Sequence, residues 1–365
     1  MFKLFGGNFN DLGGMPSGYI DTLFDALNAA LIGGKKYNGG YYSDLPNLID
    51  KIEDDDIIFW MPNIPNDKPK LIAEIKNRCQ KGVLITSKTN SEDKYSIHEL
   101  ISRALSSKSN LFIEFKKKEK VEASLLDPLG NIFIKTYYIE ELAAAIAKRV
   151  MELKSFTRLN SVCADFNSQV PKISETFLNI VKDYAKVFDE FVHSPNKERF
   201  LGNVSFRCAH GFPSVKIEET VYVSRRNIDK KDITAEGFVP VHLNKDLMAV
   251  YYKGYHKPSV DTPIQLMLYN YYPKIRFMIH SHVYIKEAAV TTSLIPCGAI
   301  EEFYEIISLY PSRNTAFMKI NLLGHGSIIL ADTQERFIEE PIEFMPRHIP
   351  EPSNIALTLI RLRGD

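Results

Sequence analysis

Hydrophobic and polar positions follow two regimes along the chain, and the change falls near its middle. Up to about residue 150, short apolar runs are separated by stretches with helical spacing. Lys3 to Gly7 reads as a first strand. Between Tyr19 and Leu31, the residues Ile20, Leu23, Phe24, Leu27 and Leu31 share one face of a helix. Ile57 to Met61 follows the acidic run Asp54-Asp55-Asp56 and stops at Pro62, as a buried strand does. A helix near Lys70–Cys79, a strand Gly82–Thr86, a helix near Ile97–Leu105 and a strand Leu111–Phe115 continue the alternation. Asp127-Pro128-Leu129-Gly130-Asn131 reads as a turn, and Tyr138 to Leu153 as a closing helix. Short buried strands joined by helices of about ten residues call for right-handed crossovers and a parallel, doubly wound sheet.

These features predict an α/β domain of Rossmann-like or flavodoxin-like type over residues 1–155. Periodicity then lapses, and residues 156–173 read as a linker. Ser174 is placed to N-cap a helix reaching about Val192. Beyond it come many short strands: Gly202–Arg207, Val221–Ser224, Met248–Tyr252, Phe277–His282 and Ser327–Leu330. Helices near Thr262–Tyr271 and Glu301–Leu309 interrupt them, which sets a second domain at 174–345. The tail, 346–365, with Pro346, Pro350 and Pro352, reads as an extended arm. No internal repeat or low-complexity tract is visible.

Composition narrows the function classes. Of 365 residues, 45% are hydrophobic and 25% charged, enough apolar material for two cores. Lysine plus arginine equals aspartate plus glutamate at 45 each, so no overall field favours nucleic acid or an anionic membrane. No run approaches the roughly 20 apolar residues of a spanning helix, and the N-terminus does not read as a signal peptide. Four scattered cysteines without a CxxC pair argue against a disulfide framework and a cysteine zinc site, and fit the cytoplasm.

The chemistry concentrates in Phe277-Met278-Ile279-His280-Ser281-His282. On a strand, alternation puts His280 and His282 on one face, where their ring nitrogens can converge. A third histidine stands between glycines in Gly324-His325-Gly326. Three imidazoles with an open position are a catalytic zinc arrangement, although an H-x-H pair alone is more often two unrelated histidines. The surroundings add a pattern. Gly202-Asn203-Val204-Ser205-Phe206-Arg207, Pro258-Ser259-Val260-Asp261-Thr262-Pro263, His280-Ser281-His282, Ile295-Pro296-Cys297 and Gly324-His325-Gly326 occur in that order. Over residues 174–340 the chain thereby resembles the class II aldolase/adducin family, which includes sugar-phosphate aldolases and an epimerase.

The resemblance implies an α/β/α domain with a mostly antiparallel central sheet and a zinc ion on His280, His282 and His325. It makes Asp261 a fourth ligand or a base, although Asp-Thr-Pro also suits a helix N-cap. It places a substrate phosphate at Gly202, Asn203 and Ser259, with Ser224 and Arg225 (and Arg226) where the family has a Thr-Pro-Ser-Gly turn. Ile300 stands where aldolases have a tyrosine, and Glu301 and Glu302 lie where related dehydratases place an acid/base glutamate. They also suit the exposed start of a helix. The expected function is zinc-dependent aldol cleavage or formation in a small phosphorylated sugar-like substrate. Epimerisation or dehydration on the same site, or a non-catalytic adducin-like module, are the alternatives. A homo-oligomer, a tetramer by resemblance, is expected. In the first domain, the glycines between Gly6 and Gly18 could cradle a phosphate at a helix N-terminus, or serve loop geometry alone.

Overall fold

The computed structural model describes residues 1–6, 17–37, 49–54, 56–61, 70–90, 94–117, 119–166, 173–191, 200–208 and 220–347. The glycine loop's residues 7–16 and the tail from 348 lie outside them. The described residues to Ser155 form one compact unit and those from Phe156 another.

The first unit carries β1 (Phe2–Phe5), α1 (Ser17–Ala30), β2 (Gly34–Tyr37), β3 (Ile57–Trp60), α2 (Lys70–Arg78), β4 (Val83–Thr89), α3 (Ile97–Ser106), β5 (Leu111–Lys117), β6 (Val121–Leu126), β7 (Ile132–Thr136) and α4 (Ile139–Ser155). They make one sheet in the order β2-β1-β3-β4-β5-β6-β7. Alternation along the strands sorts the core. Phe2, Leu4, Ile57, Phe59, Val83, Ile85, Leu111 and Ile113 pack on one face with Leu23 and Leu27 of α1 and Leu142 and Ile146 of α4. Phe5, Ile58, Trp60 and Leu84 face Ile75 and Cys79 on the other, and Phe112 meets Leu100 and Ala104 of α3. Helices therefore cover both faces.

A wholly parallel sheet does not hold. β2 to β5 pair in parallel, but β6 and β7 are antiparallel. The connections explain it: three residues separate β5 from β6 and five separate β6 from β7, too few for a crossover. The Asp127 carboxylate accepts from the backbone N–H groups of Leu129 (2.9 Å) and Asn131 (3.0 Å), and Gly130 takes φ +87°, which folds the chain straight back.

The second unit carries β8 (Asn160–Cys163), α5 (Glu175–Phe191), β9 (Asn203–Cys208), β10 (Thr220–Ser224), β11 (Phe238–Asn244), β12 (Ala249–Tyr252), α6 (Thr262–Tyr271), β13 (Phe277–Ser281), β14 (Tyr284–Ile285), β15 (Ala289–Val290), α7 (Glu301–Leu309), β16 (Phe317–Leu322), β17 (Gly326–Ala331), α8 (Arg336–Glu339) and β18 (Phe344–Met345). Nine strands form a sheet in the order β15-β16-β17-β13-β9-β10-β11-β12-β8. Neighbours pair antiparallel except β12 with β8 and β15 with β16, which are parallel. Val223, Val239 and Met278 pack with Leu268 of α6 and Ile306 of α7 on one face. Val204, Phe206 and Ile279 pack with Phe177 of α5 and Phe337 of α8 on the other. The stretch read as a linker thus contains an edge strand: β8 pairs with β12, from Asn160↔Ala249 to Cys163↔Tyr252.

Candidate metal centre

The central strand β13 lies between β9 and β17 and delivers His280. The strand ends at Ser281, so His282 follows it rather than continuing the alternation. Two glycines bring neighbouring backbone hard against this end. A Cβ on Gly202 (φ +77°) would lie 2.6 Å from the His280 carbonyl oxygen, and one on Gly326 (φ +154°) 2.0 Å from that of Ser281. Only glycine fits such approaches. Gly326 also ends the turn that carries His325.

All three histidines are buried, and their ligating atoms lie within 4.8 Å of one another. The proton positions follow from their partners. His280 Nδ1 stands 2.9 Å from the Ser327 carbonyl oxygen. That nitrogen must donate, which leaves the lone pair on Nε2. Among the described residues, His280 Nε2 has no hydrogen-bond partner, and neither does His282 Nδ1. His325 Nδ1 meets Glu302 Oε1 at 2.8 Å, and His325 Nε2 lies 3.1 Å from Cys297 Sγ. Burial, aided by the charge of His325, pushes His280 down to about 4 and His282 well below its ordinary value. Burial acts the same way on His325, but Cys297 and Glu302 outweigh it and raise its pKa well above the usual imidazole range. Burial also raises Glu302.

Asp261 occupies the N-cap position of α6, but its side chain makes no capping bond. One carboxylate oxygen instead accepts from Asn203 Nδ2 at 2.9 Å and lies 3.8 Å from His280 Nε2, while the other is buried without a partner. Asn203 also donates to Ser259 Oγ at 3.0 Å, and Gln265 donates to the Asn203 side-chain oxygen. Asp261, Cys297 and His325 form a second triad of donor atoms within 4.8 Å. A cysteine therefore stands in the cluster although the chain has no CxxC pair.

The other singled-out residues are placed differently. Ser224 is buried, and its hydroxyl accepts from the Val204 N–H at 3.1 Å. Arg225 forms an isolated bridge with Pro258, so the turn after β10 abuts the Ser259 segment, while Arg226 is exposed. Glu302 reaches the histidines. Glu301 does not: its Oε1 accepts from the Thr157 N–H at 2.9 Å. Sequence reasoning missed Lys230 and Arg347. Lys230 is buried, donates to the carbonyls of Phe200 (3.2 Å) and Leu201 (3.0 Å), and is lowered by burial to about 8. Arg347 donates to the Gly324 carbonyl at 2.8 Å.

Residues 182–333 match the family described as Class II Aldolase and Adducin N-terminal domain. This segment is thus similar to class II aldolase and adducin domains. It contains every residue of the two triads. Class II aldolases typically use a divalent metal, and the unpartnered nitrogen of His280 beside two further imidazoles suits one.

No curated protein matches the chain. Similar solved structures include a sugar-phosphate aldolase from Thermotoga maritima, with 12% identity over 44% of this chain and 89% of that one and a TM-score of 0.29. Another is the N-terminal class II aldolase domain of a conserved protein from Thermoplasma acidophilum, at 16% over 48% and 93%, TM-score 0.32. A third is the DNA/pantothenate metabolism flavoprotein from Streptococcus pneumoniae, at 11% over 42% and 99%, TM-score 0.31. Among the described residues, no helix is long and apolar enough to cross a membrane.

Proposed function

We propose that the class II aldolase/adducin domain is a zinc-dependent lyase that cleaves or forms a C–C bond in a small phosphorylated sugar-like substrate. The observation that carries this reading is His280 Nε2: its lone pair is directed by the Ser327 carbonyl, buried, and unpartnered beside His282 and His325. Zinc held by His280, His282 and His325 would act as a Lewis acid toward a substrate carbonyl. Glu302 fixes the ring of His325 through Nδ1. Asn203 anchors one oxygen of Asp261 and leaves the other to take a proton from a substrate hydroxyl or carbon. Gly202, Asn203 and Ser259, with Ser224 and Arg225 on the adjoining turn, would hold the phosphate, where backbone N–H groups and an arginine suit an anion.

Epimerisation or dehydration is the second reading. Ile300 is buried at the start of α7, where an aldolase has its tyrosine, so proton transfer falls to carboxylates. The first unit's order 2-1-3-4-5 suits a flavodoxin-like domain, with a ligand crevice where the order reverses beside β1. A cytoplasmic homo-oligomer is part of the same proposal.

Metal analysis and product NMR test the function, with zinc supplied and a panel of phosphorylated ketoses. Two carbonyl fragments identify the lyase, and an inverted or dehydrated product the second reading. Absence of both stoichiometric metal and turnover overturns both.

A further inference from the structure

His325 has two ring nitrogens, and Glu302 holds Nδ1. The nitrogen left to ligate an ion, Nε2, is the one that Cys297 Sγ contacts at 3.1 Å. An ion arriving at His325 must therefore displace this thiol or bind it. Two features argue that the thiol stays. Gly298, the next residue, adopts φ +79°, and a Cβ there would lie 2.8 Å from the Val260 carbonyl oxygen. The turn bearing Cys297 is thus pressed against the segment bearing Asp261 and has little freedom to withdraw. Independently, His280 Nε2, buried without a partner among the described residues, lies 3.8 Å from one oxygen of the Asp261 carboxylate, whose other oxygen is also buried and unpartnered. The ligating atoms of Asp261, Cys297 and His325 lie within 4.8 Å of one another.

We propose that Cys297 is the fourth protein ligand of the metal, its thiolate joining His280, His282 and His325. As the sulfur–metal bond forms, the thiol proton leaves to solvent, because the thiolate is the ligating species. A donor set of three imidazoles and one thiolate selects zinc-class ions over magnesium or manganese. With Asp261 left off the metal as the proton acceptor, a substrate carbonyl would enter as a fifth ligand. The inference rests on the metal-site reading above, and its test separates the two.

The metal-free full chain is titrated with cobalt(II) and followed by absorption spectroscopy. The expected result is one ion per chain with a cobalt–thiolate charge-transfer band in the near ultraviolet. In Cys297→Ser that band is lost while the visible ligand-field bands of bound cobalt persist, and the affinity falls about tenfold; Cys163→Ser changes neither. X-ray absorption of the zinc-loaded wild type gives a second measurement that needs no variant: one sulfur at about 2.3 Å beside nitrogen and oxygen at about 2.0–2.1 Å. Stoichiometric cobalt without the band, a band that survives Cys297→Ser, or no sulfur at zinc overturns the ligand assignment and leaves the three-histidine site standing. Failure to bind cobalt or zinc overturns both.

Discussion

The two units bury polar groups in opposite ways. In the first, Lys3 meets Asp56 at 2.5 Å and the Lys51 carbonyl at 2.8 Å, and Asp56 also accepts from the Glu53 N–H. Thr86, Ser109 and Ser107 share hydroxyl contacts, and Asn90 donates to Glu114 at 2.6 Å. Among its described residues, the buried atoms without a partner, Trp60 Nε1 and Arg149 Nε, belong to different elements. In the second unit, Asp261 Oδ1, Gln265 Oε1, His280 Nε2 and His282 Nδ1 lack partners among the described residues and sit on residues joined by contact around Asn203 and the histidine cluster, while Glu301 Oε2 also lacks one outside that cluster. A buried polar group without a partner costs on the order of 1–3 kcal/mol. One such atom is a packing compromise. Several on contacting residues mark out the candidate site, and that contrast separates it from the scaffold.

The contrast can be broken most sharply at the histidines. His280→Ala combined with His282→Ala should abolish stoichiometric zinc and reduce turnover by at least ~1,000-fold, since the Lewis acid supplies several kcal/mol. Unchanged metal content by elemental analysis would show that the cluster is not the centre. A smaller effect is expected at Glu302→Gln, which keeps the shape but weakens the hold on His325 Nδ1. Zinc affinity should drop about 10–100-fold with the fold retained by circular dichroism. An unchanged dissociation constant would make Glu302 a bystander.

The smallest effect is on the metal-free protein. His280 is held neutral at about 4 against 6.5 unperturbed, and His282 is lowered too. As pH falls below about 6.5 the unfolded chain takes up these protons first, so the stability contributed by the buried neutral rings is lost between pH 6.5 and 4. For His280 alone this reaches about 3 kcal/mol. His325 is raised, so its contribution is full below pH 6.5 and fades as pH climbs through its folded value. Thermal melts of metal-free protein should therefore peak near pH 6.5, with zinc raising the melting temperature most on the alkaline side. A flat profile from pH 4 to 6.5 would contradict the buried, neutral state of the pair.

Legibility in the sequence followed burial and local pattern. β1, β3, β4 and β5 are visible because each is a short apolar run between polar segments, and their faces sort as alternation requires. β11 is obscured by Pro240 within Phe238–Asn244, and β8 by its polar, largely exposed Asn160–Cys163. β6 and β7 depend on a turn whose effect on strand direction periodicity does not carry. The histidines that the motifs single out are those that converge. Lys230 was not legible, because in Arg225-Arg226-Asn227-Ile228-Asp229-Lys230-Lys231-Asp232 it looks like one more solvated charge. Glu302 was ambiguous beside Glu301: one residue's rotation on α7 decides which carboxylate meets His325 and which meets Thr157.

The close approaches at Gly202 and Gly326 have a wider consequence. At these two positions main chain, rather than side chains, sets the spacing against β13, so a side chain at Gly202 or Gly326 would push directly on the frame that holds the histidines. On the function proposed above, changes at Val260, Arg225 or Ile300 would alter which molecule is accepted or which proton is moved while the imidazoles keep their positions. Under that same proposal, a domain built this way would change its chemistry by point mutation without first losing its metal site.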